Sequence, residues 1–345
     1  MIKDLYYAYY CARKNKRNTI NQLIFELDLE KNLHELYDAI RTRTYKPLRS
    51  IAFIVEEPVK REVFAANFRD RVVHHWIFNQ LNPVLDRRFI EDSYSCRTGK
   101  GTLYGIRRLQ KHIRSCSQNH RKNCIAMKMD IEGYFMRMNR KLLYKQLEQH
   151  IAKPHPHWQN VRIDTLMYLI RETIFNDPTT DCKYNTPLHT WNGLPHSKSL
   201  FYARPDCGLP IGNLTSQLFS NVYMHEFDNF VKRQLKCKYY GRYVDDFYIL
   251  SQSEDPEYYR YLRREIDLYL REKLELNLHP KKFYQQHYTK GVPFLGVVVY
   301  PYHTVVNSRN RKKYIAASAE DKLKYHGVFV HHDEYKFLQK HKLIL

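Results

Sequence analysis

The chain has 345 residues, and at about 150 residues per domain that length suggests two domains or one large multi-lobed enzyme. Its 57 Lys and Arg against 36 Asp and Glu give a formal net charge of +21, and a hydrophobic share of 43% excludes wholesale disorder. No run approaches the ~18 consecutive apolar residues of a spanning helix, and the charged start MIKDLYYAYYCARKNK lacks a signal peptide's apolar block, which predicts a cytoplasmic protein with no membrane partner.

The first forty residues read as two helices, with Leu23, Phe25, Leu27, Leu33, Leu36 and Ile40 at the apolar positions. From Ile51 to Val63, SIAFIV and REVF flank the turn EEPVK as a β-hairpin. Helical spacing returns from Phe68 to Leu85, and a polar loop lies between Ser115 and Cys124. Behind it, IAMKMDI is a short apolar strand ending at Asp130, and a helix follows Asn139 through about Ile151. The stretch 153–207 is rich in Pro, His, Asn and Thr and reads as a surface insertion around one helix, Ile163–Ile174. Its His155, His157, Cys182, His189, His196 and Cys207 fit no zinc spacing, so it is expected to be a polar loop region.

Asn213 to Leu235 is the strongest helix, with Phe219, Val222, Tyr223, Phe227, Phe230, Val231 and Leu235 on one face of a period of about 3.6 residues. KYYGRYV and FYIL are then two strands separated only by Asp245 and Asp246. Asp255-Pro256 opens a second helix, as N-cap and first-turn proline, running through Tyr259, Leu262, Ile266, Tyr269 and Leu274. Two further strands are expected around Lys282–Gln286 and Phe294–Tyr300. Apart from the insertion and its helix, the order from Asp130 onward approaches βαββαβ. That is an α+β arrangement, a split βαβ sheet with helices on one face and the other face left to line a groove.

Such an order brings Asp130, at a strand end, towards Asp245 and Asp246 at a hairpin tip. Adjacent strand residues point to opposite faces, but a tight turn breaks that alternation and can aim both acids at one site. Turns favour Asn-Gly or Asp-Gly, and two aspartates there repel each other unless a cation lies between them. The chemistry that wants this is two-metal phosphoryl transfer, with Mg²⁺ ions about 4 Å apart bridged by carboxylates. Alone, an Asp-Asp pair is an ordinary solvated turn. Here it interrupts two strongly apolar strands.

The charge points the same way. A surplus of +21 repels itself in a compact fold unless a polyanion neutralises it, and the 29 Tyr offer faces for bases or for a core. Lys281, Lys282, Arg309, Arg311, Lys312, Lys313, Lys322, Lys324, Lys336, Lys340 and Lys342 recur after the sheet, where they can follow the phosphates of a duplex. Seven scattered cysteines with no CxxC pair fit reduced thiols.

These residues resemble a known family. Tyr243-Val244-Asp245-Asp246 is similar to the signature of reverse transcriptases, and MDIEGYF from Met129 resembles their first acidic motif. The match runs in order through HELYDAIRTRTYKPLR, REVFAANFRDRVVHHWIF and FIEDSYSCRTGKGT, and ends with GVPFLG. Within GLPIGNLTSQ (Gly208 to Gln217), group II intron, retron and retroviral enzymes mostly carry QGxxxSP. This chain has IGxxxSQ, which resembles the reverse transcriptases of diversity-generating retroelements.

The resemblance implies a right-hand polymerase: N-terminal helices and fingers over 1–125, a palm over 126–300 with 153–207 inserted, and a short helical thumb over 301–345. Asp130, Asp245 and Asp246 would be the catalytic, metal-binding triad for two Mg²⁺ (Mn²⁺ as a substitute), with the Ile131 carbonyl open to the second ion. Phe135 falls where the family places an aromatic gate against a 2′-hydroxyl, and Arg61, assisted by Lys60, where a fingers hairpin meets the triphosphate. Arg69 and Arg71 are expected in structural or template-backbone contacts. Lys282 matches a proposed proton donor to pyrophosphate, a solvated surface lysine being the equal alternative. Phe294-Leu295-Gly296 matches the primer grip, with Gly296 allowing close backbone approach.

Ile211 and Gln217 depart from the wider family's glutamine and proline beside the nascent base pair, which implies a looser geometric check and the adenine-directed errors of mutagenic retrohoming. The implied partners are a template RNA, the RNA/cDNA hybrid, dNTPs and an oligomeric basic accessory variability protein. With a thumb expected over 301–345, no RNase H, integrase or endonuclease domain is expected, and the protein would copy but not cut or integrate. The rivals are a retron-like or abortive-infection reverse transcriptase, and a non-catalytic RNA-binding scaffold of polymerase shape.

Overall fold

The computed structural model describes residues 1–14, 18–57 and 59–340. Three helices open the chain where two are expected: α1 (Ile2–Arg13), α2 (Ile20–Leu27) and α3 (Leu29–Arg41). Asp28 alone separates α2 from α3, so the apolar spacing runs on across the break. Phe25, Leu33, Leu36 and Ile40 are buried, but Leu23 and Leu27 are 48% and 82% exposed and take no part in the core.

The expected hairpin forms from β1 (Ser50–Val55) and β2 (Arg61–Ala65); Pro58 of its turn lies outside the described residues. Helix α4 (Phe68–Arg88) starts where the Asn67 side chain accepts from Arg69 N at 3.0 Å. Then come α5 (Thr102–Cys116), β3 (Ile125–Asp130), α6 (Tyr134–Arg137) and α7 (Arg140–Ala152). Asn139 caps α7 through bonds from Lys141 N and Leu142 N. The stretch 153–207 holds α8 (Ile163–Ile174) and β4 (Cys182–Tyr184). Helix α9 (Leu214–Asn229) continues as a π turn through Gln234. The rest is β5 (Tyr239–Tyr243), β6 (Asp246–Ser251), α10 (Pro256–Leu274), β7 (Tyr284–His287), β8 (Val292–Phe294), β9 (Val297–Val299), β10 (Thr304–Val306), α11 (Ser308–Ala316), α12 (Ala319–Phe329) and α13 (Tyr335–Lys340). Asp255 caps α10 as expected, accepting from Glu257 N at 2.9 Å. The single strand expected over 294–300 is two, broken at Leu295-Gly296. Lys342 and the Lys324 side chain lie outside the described residues. Among those residues, no helix is long and apolar enough to cross a membrane.

The chain forms two compact units. The first comprises Met1–Ile90, Ile131–Phe227 and Leu268–Asn277. In it α1 packs on α4, and the hairpin is widened to three strands in the order β2-β1-β4. β4 runs parallel to β1, with Ser50 opposite Cys182 and Ala52 opposite Tyr184. The insertion is therefore not the surface excursion its polar composition predicts: one strand of it joins the sheet, and Trp158, Leu166, Cys182 and Leu200 are buried.

The second unit comprises Glu91–Asp130, Asp228–Asp267 and Leu278–Leu345. Its main sheet has the order β5-β6-β3-β7 with every pairing antiparallel, the split βαβ order expected. Ala126 faces Leu250, Lys128 faces Tyr248, and Asp130 faces Asp246. By strand alternation these six side chains share one face. That face is not left open along its length. Ala126, Tyr248 and Leu250 share a core with Ile106, Leu109 and Ile113 of α5 and with Phe294 and Val297 of the β8–β9 hairpin. The end that carries the acids lies outside this apolar cluster, with the Asp130 and Asp246 side chains 14% and 18% exposed. Gly241 in β5 is dictated by the same packing, since a Cβ there would lie 2.3 Å from the Tyr94 hydroxyl and 2.6 Å from that of Tyr248. Strand β10 completes a small sheet with β8 and β9, and Val306, Tyr314 and Phe329 form the core beneath α11–α13.

Candidate active site

The cross-strand register does most of the assembly. Asp130 and Asp246 are direct partners across β3 and β6, a position in which Cβ atoms lie about 5 Å apart. Tyr243 pairs with Asp246, so the two-residue turn is Val244-Asp245. Asp245 alone occupies the tip, and Asp246 opens β6, which corrects the expectation that both acids sit in the turn. Val244 has φ 57°, in the left-handed region that a β-branched residue adopts only under strain of ~1–3 kcal/mol.

The surroundings hold that strain in place. Val244 N donates to Ser95 Oγ at 3.2 Å, and its carbonyl accepts from Arg242 Nη1 at 2.9 Å. Arg242 points to the opposite face of the sheet and is fully buried. There it pairs with Asp228 of α9, Nε to Oδ1 and Nη2 to Oδ2 both at 2.7 Å, while Tyr240 donates to the same carboxylate at 2.6 Å. Sequence reasoning missed this pair. The signal was an arginine inside an otherwise apolar strand, which has to find an anion.

Two lysines balance the acids. Lys282 Nζ lies 2.9 Å from both oxygens of Asp130, and Lys128 Nζ lies 3.0 Å from Asp246 Oδ2. Lys282 is bound to an acid while its side chain stays 51% exposed. Lys128 was missed, although it stands two residues before Asp130 on the same strand face. Burial pushes the Asp246 carboxyl up to about 7, Asp245 and Asp130 add to the rise, and Lys128 opposes it. Its Oδ1 is buried with no hydrogen-bond partner among the described residues. An unpartnered carboxylate oxygen beside two further aspartates is an all-oxygen donor set that fits a hard divalent cation. Ile131 follows β3 directly, with its side chain buried.

The remaining candidates for nucleotide contacts belong to the first unit. Arg61 is exposed at the start of β2. Lys60 Nζ donates to the Asn192 carbonyl at 3.0 Å and pairs with Glu56 at 3.1 Å. Phe135 and Ile211 pack against one cluster with Ala52, Phe64, Met136, Cys182 and Leu200. The Phe135 carbonyl accepts from Leu209 N, and the Ile211 carbonyl from Phe64 N, both at 2.9 Å. Gln217 is exposed on α9. Arg69 donates to the Lys46 carbonyl at 3.1 Å and Arg71 to that of Ala66 at 2.9 Å, so both have structural work.

Phe294-Leu295-Gly296 forms the tight β8–β9 turn, with Leu295 at φ 49° and Gly296 at φ 88°. A Cβ on Gly296 would meet Asn310 Nδ2 at 2.7 Å. The group that approaches this glycine is therefore the protein's own α11, whose Asn310 and preceding Asn307 N both donate to the Gly296 carbonyl. The insertion's histidines and cysteines form no metal cluster among the described residues. His150, His225 and Glu226 do bring ligand atoms within 4.8 Å of one another. Arg88 Nη1, 3.5 Å from His150 Nδ1, opposes a cation there.

A split βαβ palm with paired aspartates at the β3 end and the β5–β6 turn defines a right-hand polymerase, a nucleotidyltransferase. Residues 60–299 match the family model described as reverse transcriptase (RNA-dependent DNA polymerase). The protein belongs to the reverse transcriptase family. It is 22% identical over 325 residues to protein YkfC of Escherichia coli (strain K12), a match covering 85% of this chain and 76% of that one. In structure it is similar to Candida albicans telomerase in complex with a TWJ fragment of telomeric RNA, with a TM-score of 0.50 and 12% identity over 86% of this chain and 54% of that chain. It is also similar to apo telomerase from Candida tropicalis, with a TM-score of 0.51 and 10% identity over 80% of this chain and 53% of that one. The protein spans about half the length of these telomerase chains.

Proposed function

We propose that the protein is a cytoplasmic enzyme that copies a template-repeat RNA into error-prone, adenine-mutagenised cDNA in a diversity-generating retroelement, by two-metal nucleotidyl transfer. The observation that carries the chemistry is the Asp130–Asp246 register pair with an unpartnered, buried carboxylate oxygen. Asp130, Asp245 and Asp246, with the Ile131 carbonyl, are the groups to hold two Mg²⁺, or Mn²⁺ in their place. Bound there, such a pair acidifies the primer 3′-hydroxyl and neutralises charge on the leaving pyrophosphate.

The chain's own residues do the rest. Lys128 and Lys282 pair with the acids, and Lys282 would serve as proton donor to the pyrophosphate. Arg61 and Lys60 take the triphosphate, Phe135 rejects a 2′-hydroxyl, and Phe294-Leu295-Gly296 steadies the primer. Residues 1–125 serve as N-terminal helices and fingers, 126–300 as the palm with its insertion 153–207, and 301–345 as the thumb along the RNA/cDNA hybrid. What favours the mutagenic subtype is IGxxxSQ: apolar Ile211 and exposed Gln217 relax the check on the nascent pair. The oligomeric accessory variability protein is its expected partner.

A primer-extension assay with no RNA, generic RNA and the RNA encoded beside the gene tests the reading. Template-dependent DNA with errors at adenines, lost in Asp245→Asn, is expected. Untemplated product would point to the retron-like or abortive-infection class, and bound RNA without product to a scaffold. In Ile211→Gln, misincorporation opposite template adenine should fall relative to the other bases; an unchanged spectrum removes Ile211 as the cause.

A further inference from the structure

The 182–203 segment contributes to the first unit what its composition hides. Glu62, one residue after Arg61, is buried at 1% exposure. Its Oε2 accepts from Trp191 Nε1 and Ser199 Oγ, both at 2.8 Å, and its Oε1 from Leu200 N at 2.5 Å. All three donors come from the insertion. Bonds to a buried carboxylate are the strong, charge-assisted kind. They also fix direction: along β2 side chains alternate, with Glu62 and Phe64 buried and Arg61 exposed. Holding Glu62 inward holds Arg61 outward, and a slip of one residue would exchange them.

The same segment pins the hairpin at three more points. β4 pairs with β1, Ile54 N donates to Thr186 Oγ1 at 3.2 Å, and Lys60 Nζ donates to the Asn192 carbonyl at 3.0 Å. Phe135 and Ile211 rest on the cluster to which Cys182, Trp191, Leu200 and Phe201 belong. We propose that residues 182–203 form a supporting wall of the deoxynucleoside triphosphate site, with Glu62 as the positioning residue that sets which way Arg61 faces and how firmly Phe135 is backed. The wall governs dNTP affinity and sugar discrimination, not the rate of bond formation. This inference rests on the polymerase reading above.

The test is steady-state extension with varied dNTP or rNTP, comparing wild type, Glu62→Gln and Ser199→Ala. Glutamine keeps the volume but turns an amide N–H towards the insertion's donors. In Glu62→Gln the KM for dNTP should rise about ten-fold with kcat within about two-fold of wild type. Preference for dNTP over rNTP should fall about five-fold as Phe135 loses its backing. Ser199→Ala removes one donor and keeps the carboxylate, so it should shift KM the same way by about three-fold, and it decides the matter if Glu62→Gln does not fold. An active wild type with unchanged KM and sugar preference in the folded variants overturns the inference alone, as does a kcat loss at constant KM. A wild type that extends no primer overturns the polymerase reading and this inference with it.

Discussion

Arg242→Met isolates the scaffold beneath the Val244-Asp245 turn. Methionine keeps most of the buried stem but removes two 2.7 Å bonds to Asp228, the 3.2 Å bond to Ser93 Oγ and the donor to the Val244 carbonyl. Asp228, 1% exposed, would keep a buried charge without its cation, a loss of about 3–5 kcal/mol. With a urea slope near 3 kcal/mol/M the unfolding midpoint should fall by about 1–1.7 M. Primer extension by the folded fraction should drop about 100-fold, because Val244 loses the contact that holds its left-handed backbone and Asp245 shifts by a fraction of an ångström. The double variant Asp228→Leu/Arg242→Met separates the two effects. Removing both charges should restore most of the stability, since a buried pair replaced by apolar side chains is close to neutral, yet leave extension low. A single variant that costs under about 1 kcal/mol would refute the energetic argument. A double variant that regains full extension would refute the link from Arg242 to the acids.

Three further outcomes follow from named contacts. Burial lowers the buried His74, His112 and His150 to about 3, 4 and 3 from an ordinary 6.5. Below pH 6.5 the unfolded chain takes up protons that the folded chain refuses, so this stability is complete above that pH and declines as pH falls towards 4. At pH 5 each histidine can remove up to ~2 kcal/mol, and an unchanged urea midpoint between pH 7.5 and 5 would contradict it. Magnesium at about ten times its dissociation constant should stabilise the wild type by ~1.4 kcal/mol in thermal melts, and EDTA or Asp246→Asn should abolish the gain; a shift that survives in the variant places the ion elsewhere. Gly241→Ala drives a methyl into the Tyr94 and Tyr248 hydroxyls and should cost about 1–3 kcal/mol, part of which Tyr94→Phe in the same chain returns; additive losses would show that the hydroxyl is not the obstacle.

What could be read before the structure was what local chemistry dictates. The β5–β6 hairpin, α8 and the α10 cap announce themselves through apolar spacing, an Asp-Pro start and acids wedged between apolar strands. Helix α5 carries an equally plain signal, with Ile106, Leu109, Ile113 and Cys116 repeating at three and four residues. β4 was not readable. Three residues make no period, and only the edge of β1 gives that segment a strand partner. The break between α2 and α3 failed for the opposite reason, because an apolar pattern continued through a residue that ends one helix and starts another.

The site divides along the same line. Carboxylates that must share a cation have to appear as carboxylates, so Asp130, Asp245 and Asp246 were visible one by one. Their counter-charges were not, because a buried charge declares that it needs a partner without saying where along the chain that partner lies. Asp228 for Arg242, and the donors from 191–200 for Glu62, are far away in sequence. This limits what the 57 Lys and Arg can mean. Lys128 and Lys282 neutralise acids in the protein itself, and Arg69 and Arg71 serve its own backbone. The net charge already subtracts the acids that Lys128 and Lys282 pair with, but a count of 57 Lys and Arg includes these residues as though all were offered to a polyanion. Only the exposed remainder can contribute to a salt-dependent grip on nucleic acid, so the slope of binding against salt should report fewer phosphate contacts than the composition suggests.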